Sequence, residues 1–206
     1  MINICIINGG RGAKPLISKL IKYKNINITS IINGYDDGKS TNEIRSFFNM
    51  LGPSDIRKVQ EIMLDKKNIF YSLHKKLFNF RFPKNANNKD AKNEILKLIN
   101  LNKNTIVKNI KIDKILFKTI ANYLNYFLKY LNKFEISKNK EFNFNDCALM
   151  NCIYAGAYMY HNQDFSLTIK KMSKLFDLSH NVIANSNKNR YLIAIRNSGI
   201  ILKSEA

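Results

Sequence analysis

The chain has 206 residues, 45% of them hydrophobic, with three cysteines, no tryptophan and a formal charge of +19. That size and apolar content suit one domain with a real core, and an odd cysteine count at these spacings excludes a disulfide framework and a zinc site. The charge favours phosphorylated ligands, but the lysines are scattered through an Asn-, Lys- and Ile-rich chain and no RNA-binding or helix-turn-helix signature accompanies them, which argues against nucleic acid as the dedicated partner.

Residues 2–9, INICIING, form an apolar run stopped by glycine and predict a buried parallel strand with Cys5 in the core. Leu16, Ile17, Leu20 and Ile21 recur at helical spacing over residues 13–24, with Pro15 in the first turn. Residues 26–34, rich in β-branched side chains, predict a second strand, so the chain opens as a βαβ unit. Ser54 reads as the N-cap of a helix over 55–64. Residues 65–143 are helical in pattern, with a loop at 82–90. Ile112, Ile115, Leu116, Ile120, Tyr123, Leu124, Phe127, Leu128 and Leu131 form one core-facing stripe.

Two further helices are expected over 147–161 and 165–177, the first made for close packing by Ala155, Gly156 and Ala157. Residues 191–196 and 199–205 predict two strands joined by a tight turn at Asn197–Gly199. The chain stops after a strand, which suggests a missing C-terminal portion. No apolar run reaches membrane-spanning length. With no signal peptide in view, a reducing cytoplasm is the expected compartment.

Three short stretches carry candidate chemistry. NGGRG (8–12) lies between the first strand and the first helix, where glycines and a helix N-terminus can approach a phosphate; the dinucleotide fingerprint fails because Pro15 stands where its last glycine belongs. NGYDDGKST (33–41) resembles the tail of a P-loop, but only three residues separate Gly34 from Gly38, and Asp36 and Asp37 would repel the enclosed anion. It reads instead as an acidic loop at a strand's carboxyl edge, suited to Mg²⁺ or to turn formation. GPSDIR (52–57) opens a helix with Asp55 and Arg57, the latter able to meet a phosphate or an acidic neighbour. His74, His161 and His180 show no partner in sequence and read as surface or helix residues.

In this order and spacing the three stretches resemble the 2-phospho-L-lactate transferase (CofD-like) family, with its YvcK-like nucleotide-sugar-binding relatives. FNDCALMNCIYAGAY (144–158) and the stretch 182–206 are similar to later blocks of the same family. The resemblance covers both ends, a little over half the chain, and leaves the helical middle unmatched. It implies a single α/β domain over 1–206: a Rossmann-like three-layer fold with a central, mostly parallel sheet and a helical insertion at about 65–143.

The resemblance also implies a nucleoside-diphosphate or nucleotide-sugar ligand. Gly9, Gly10, Arg11 and Gly12 would hold its phosphates, with Lys39, Ser40, Arg57, Asn151 and Ser186 also binding it. Asp36 and Asp37 would be catalytic, and Asp37 and Asp55 would hold Mg²⁺. The implied activity is transfer of a phospho-group to a hydroxyl; the alternative is a non-catalytic regulator of carbon metabolism or cell-wall synthesis. A homodimer is compatible with either. Arg11, Lys39, Ser54, Met150 and Ala184 depart from the family's usual Thr, Gly, Gly, Gly and Pro, which fits a narrower pocket or a different ligand.

Overall fold

A computed structural model gives the architecture, described for all residues except 37, 102–106, 108–109, 192 and 203–206. Strands β1 (Ile2–Asn8), β2 (Ile26–Ile32) and β3 (Asn181–Ala184) form a parallel sheet in the order β1-β2-β3. The register sets Ile4 beside Ile28 and Ile6 beside Ser30, and Ser30 beside Val182. The first crossover is a 3₁₀ turn (Arg11–Ala13) running into helix α1 (Lys14–Leu20), shorter than the spacing predicts. A return from β2 to β3 needs most of the chain, and the described residues of that excursion hold seven more helices.

These are α2 (Lys39–Phe48), α3 (Ser54–Ile62), α4 (Tyr71–Asn79), α5 (Asn88–Ile99), α6 (Lys114–Lys138), α7 (Leu149–Tyr160) and α8 (Phe165–Leu175). Helix α2 was not expected: its start lies in the acidic loop, whose turn residues masked the amphipathic run behind them. Strand β3 also escaped the sequence pattern, being four residues long. The terminal hairpin is present as β4 (Ala194–Ile195) and β5 (Ile201–Leu202), antiparallel across a turn with Gly199 at φ +80°.

The core runs from one face of the sheet into the helices. Ile28, Ile32 and Val182 lie buried on that face, with α3 and α8 packed toward it. On the other face of β1, Cys5 and Ile7 are exposed, so Cys5 is not a core residue and β1 is not a fully buried strand. The reason is position: β1 is the sheet's edge among the described residues, and an edge strand with one uncovered face cannot bury both sets of alternating side chains.

Helix α6 is about 37 Å long at 1.5 Å per residue. Asp113 caps it by accepting hydrogen bonds from the Ile115 and Leu116 amides. It buries Leu116, Ile120, Tyr123, Leu124, Phe127 and Leu131 as expected. Ile115 is instead 80% exposed, because at 100° per residue it lies about 130° from the middle of that stripe. Phe117, nearer the stripe, is buried in its place.

Candidate functional site

The loops after all three parallel strands gather at their carboxyl edge, where ligands bind in open α/β sheets. After β2, Gly34 N–H donates to Asn185 Oδ1 (3.2 Å), and Asn185 N–H donates to Ile32 O (2.9 Å), which ties the loop after β3 to the acidic loop. Arg45 of α2 reinforces this tie from a fully buried position. Its guanidinium donates to the carbonyls of Tyr35 (2.9 Å) and Asp36 (3.3 Å), to Asn189 Oδ1 (3.0 Å) and to the Arg190 carbonyl, and stacks 4.4 Å from the centre of the Tyr191 ring.

Beside this edge opens a cavity of about 770 Å³, lined by Asp36, Gly38, Ser40, Thr41, Glu43 and Ser54. Arg57, Lys58, Arg81, Lys84, Asn143, Asn145 and Asp146 complete the lining. None of these is aliphatic or aromatic. Of the residues proposed from sequence, the cavity brings together Asp36, Ser40 and Arg57.

Asp36 is anchored by the start of α2. Its Oδ1 accepts from Gly38 N–H (3.3 Å) and its Oδ2 from the Thr41 hydroxyl (3.1 Å). Thr41 in turn meets the hydroxyl of Ser54. Ser54 is therefore not the expected N-cap of α3: it lies inside the helix, Pro53 holds the cap position, and the hydroxyl faces Thr41 and Asn151 instead.

Asn151 is fully buried and does not line the cavity. Its amide nitrogen donates to Ser54 Oγ (3.1 Å), and its Oδ1 accepts from Arg57 Nε (2.8 Å). The result is one connected chain of hydrogen bonds, Arg57 to Asn151 to Ser54 to Thr41 to Asp36, that links the cation to the carboxylate. Such chains polarise their members cooperatively.

Arg57 is 3% exposed, and its second nitrogen contact is to the Phe78 carbonyl (3.1 Å). No described carboxylate pairs with it. Burial, followed by the nearby Arg81 guanidinium, pulls its pKa down to about 10, so it is still a cation at neutral pH. An unpaired buried cation costs several kcal/mol, about 3–5 when a partner is removed. An anion in the cavity is the natural compensation.

The glycine loop is placed differently. Gly9–Gly12 do not line the cavity. A Cβ on Gly10 would lie 2.4 Å from Asp55 Oδ1 and 2.9 Å from Lys58 Cδ, so a larger residue would have to push those side chains aside where the loop meets α3. Asp55 thus faces the glycine loop, paired with Lys58 at 2.8 Å, and not the cavity. The Arg11 side chain is exposed and makes no hydrogen bond or ion pair among the described residues. Ser186 accepts from Lys188 N–H (3.0 Å) in a turn beyond β3. Lys39 begins α2, its side chain outside the described residues, as is the whole of Asp37.

Among the described residues no three His, Cys, Asp or Glu side chains cluster to hold a metal ion. Mg²⁺ requires only one or two carboxylates when substrate phosphates supply further oxygens. Asp36, on the cavity lining, is a carboxylate of that kind.

The histidines have structural partners. His74 is buried edge-on to Phe176, His161 Nε2 meets the Tyr123 hydroxyl at 3.0 Å, and His180 Nδ1 accepts from Ile28 N–H at 3.4 Å. Burial lowers the pKa of each. No helix among the described residues is long and apolar enough to cross a membrane.

Sequence reasoning missed Thr41, Arg45, Arg81 and Asp146. Thr41 stood in view inside NGYDDGKST, and its place one helical turn into a glycine-started helix was the available signal. The others act through pairings that no local pattern signals, even for Asp146, which stands inside the block 144–158.

The fold matches protein BH3568 of Bacillus halodurans, with a TM-score of 0.63 at 19% identity, over 100% of this chain and 46% of that one. A second structure of that protein, described as a member of the UPF0052 family, gives 0.61 at 20% with the same coverage. A 56-residue segment, 27% of this chain, is 43% identical to the gluconeogenesis factor of Listeria monocytogenes, covering 17% of it. An 84-residue segment is 34% identical to a relative from Streptococcus pneumoniae, over 40% of this chain and 24% of that protein. The chain spans under half the length of the solved relatives, and its matched segments under a quarter of the curated ones. The profile of the family described as 2-phospho-L-lactate transferase CofD matches residues 4–206, and with nearly the whole chain covered, the protein belongs to the CofD family.

Proposed function

We propose that the chain binds a nucleoside-diphosphate-linked donor, of GDP or nucleotide-sugar type, and transfers a phospho-group to a hydroxyl acceptor with Mg²⁺. The observation that carries this reading is Arg57: a buried guanidinium without a carboxylate, on the wall of a polar cavity that also holds Asp36. Arg57 binds the donor's diphosphate and balances the charge that grows on the leaving oxygen. The acceptor oxygen forms a bond to phosphorus, the bond from phosphorus to the bridging oxygen breaks, and the nucleoside monophosphate leaves. Asp36 takes the hydroxyl proton. Its anchoring by Gly38 and Thr41 fixes where that proton is received. Magnesium, held by Asp37 and the donor's own oxygens, would supply further charge neutralisation at the diphosphate.

A second reading draws on the relatives named gluconeogenesis factor: the chain binds a nucleotide sugar and regulates without turnover. The two separate in one experiment. GDP- and UDP-linked donors are titrated with Mg²⁺ and hydroxylated acceptors, following both binding and nucleoside monophosphate release. Arg57→Gln should weaken donor binding by about a hundredfold, the scale of losing a desolvated charge pair. Asp36→Asn should slow release by about 10²-fold or more while donor affinity stays within about threefold. Tight binding with no release from any acceptor sinks the transferase. A response to short RNA alone sinks both readings.

A further inference from the structure

The part of the cavity lining around Arg81 has a construction that donor binding does not require. The segment around Arg81 is zipped to the segment around Ala148: Arg81 and Ala148 form an antiparallel bridge, Phe82 N–H donates to Cys147 O (2.9 Å), and Leu149 N–H donates to Phe80 O (3.1 Å). Asp146 adopts φ +52°, uncommon for a residue with a side chain. In that conformation its carboxylate meets the Arg81 guanidinium as a fork, Nε to Oδ1 at 2.6 Å and Nη2 to Oδ2 at 3.0 Å.

The pair is exposed on the cavity wall, 39% for Arg81 and 50% for Asp146. A two-point arginine–carboxylate pair is the stronger kind of surface pair, but its exposure leaves it open to exchange, so a more highly charged ligand can compete with the carboxylate for Arg81. A phosphate monoester presents the same two-oxygen edge with more charge. Lys84 lines the wall beside the fork and makes no hydrogen bond or ion pair among the described residues. Asn143 and Asn145 add amides suited to hydroxyl groups. Among the described residues no aromatic side chain lines the cavity to stack on a flat ring.

We propose that Arg81 and Lys84 form a second anion subsite, occupied by the phosphate of a phosphorylated polyol or sugar whose free hydroxyl is the acceptor, with Asp146 as the resident that phosphate displaces. The inference rests on the transferase reading above for the acceptor role, and on the geometry alone for the binding. It assigns the acceptor to the hydroxylated anions and not to the planar heteroaromatics.

The test is calorimetric titration of glucose 6-phosphate, glucose and riboflavin into the full chain, with GDP and Mg²⁺ titrated in parallel. Glucose 6-phosphate should bind at least about tenfold more tightly than either neutral probe. Arg81→Gln and Lys84→Gln should each weaken it about tenfold, a loss exceeding any change in GDP affinity. Asp146→Asn should strengthen it about threefold to tenfold, because the competing carboxylate is gone; a merely structural pair would give the opposite sign. Lys84 is exposed, so its variant stays interpretable if Arg81→Gln fails to fold. The proposal is overturned if glucose or riboflavin binds as tightly as glucose 6-phosphate, if the variants leave its affinity unchanged, or if GDP competes it away. Loss of GDP binding with the glucose 6-phosphate responses intact would remove the donor reading and leave the subsite standing.

Discussion

Arg57 depends on one neutral residue for its chemical character. Asn151 supplies an acceptor to Nε without supplying a charge, so the guanidinium is satisfied as a donor but not as a cation. Asn151→Asp should reverse that balance. The carboxylate still accepts from Arg57, so the unfolding temperature should move by only a few degrees, while the internal counter-charge lowers nucleoside diphosphate affinity by about tenfold or more. Asn151→Leu removes the acceptor instead and should cost about 2 kcal/mol for the orphaned buried donor. Chemical denaturation and ligand titration of the two variants check the pair; equal ligand affinity in wild type and Asn151→Asp would mean that Arg57 does not meet the anion. Asn151 could be picked out in sequence because it sits in an ordered series of family-like blocks, but its role could not. The hydrogen bond that defines it crosses 94 positions. Arg81 belongs to no recognisable block, and although Asp146 stands inside one, their pairing across 65 positions was invisible for the same reason.

Among the elements, α6 and α7 make the most extensive contact, and it rests on Gly156. A Cβ there would lie 1.8 Å from Tyr123 O and 2.7 Å from Tyr123 C, both backbone atoms that cannot swing aside. Gly156→Ala therefore sets two effects against each other: about 1 kcal/mol gained in helix propensity and about 3 kcal/mol lost to overpacking. The loss wins, and a net destabilisation of about 2 kcal/mol is expected in urea unfolding; a stabilised variant would show that the helices separate freely. The small residues of this helix were legible because three of them stand together, and the 25-residue α6 because its stripe repeats over many turns. Elements without repetition were not. Helix α2 begins inside turn chemistry, and the four residues of β3 are too few for alternation to speak. Both position the site: α2 carries Thr41 and Arg45, and β3 leads into Asn185.

At the scale of the whole molecule, the sheet is lopsided. Its helix-facing side buries Ile28 and Ile32 completely, while Ile7 on the outer side of β1 is 84% exposed and Cys5 beside it is exposed as well. The apolar run that predicted a buried strand reports only that β1 is built to be covered; the coverage itself depends on neighbours that a strand's own residues do not encode. If the outer face is bare in solution, Ile7→Thr should change stability by no more than about 0.5 kcal/mol, whereas Ile28→Ala should cost about 3 kcal/mol as a core cavity. The cysteines offer an independent reading of the same surface. A thiol reagent should modify one cysteine, Cys5, in the native protein, and reach Cys147 and Cys152 only on unfolding, since both are fully buried and burial raises the Cys152 pKa well above its ordinary value. A protected Cys5 together with a costly Ile7→Thr would mean that another surface lies on β1. If both effects fade on dilution, that surface is a second copy of this chain, formed in spite of the mutual repulsion of two molecules each carrying +19. The repulsion makes salt the deciding variable: a real homodimer should strengthen as ionic strength rises and screens those charges, while a monomer's Cys5 should react at much the same rate throughout.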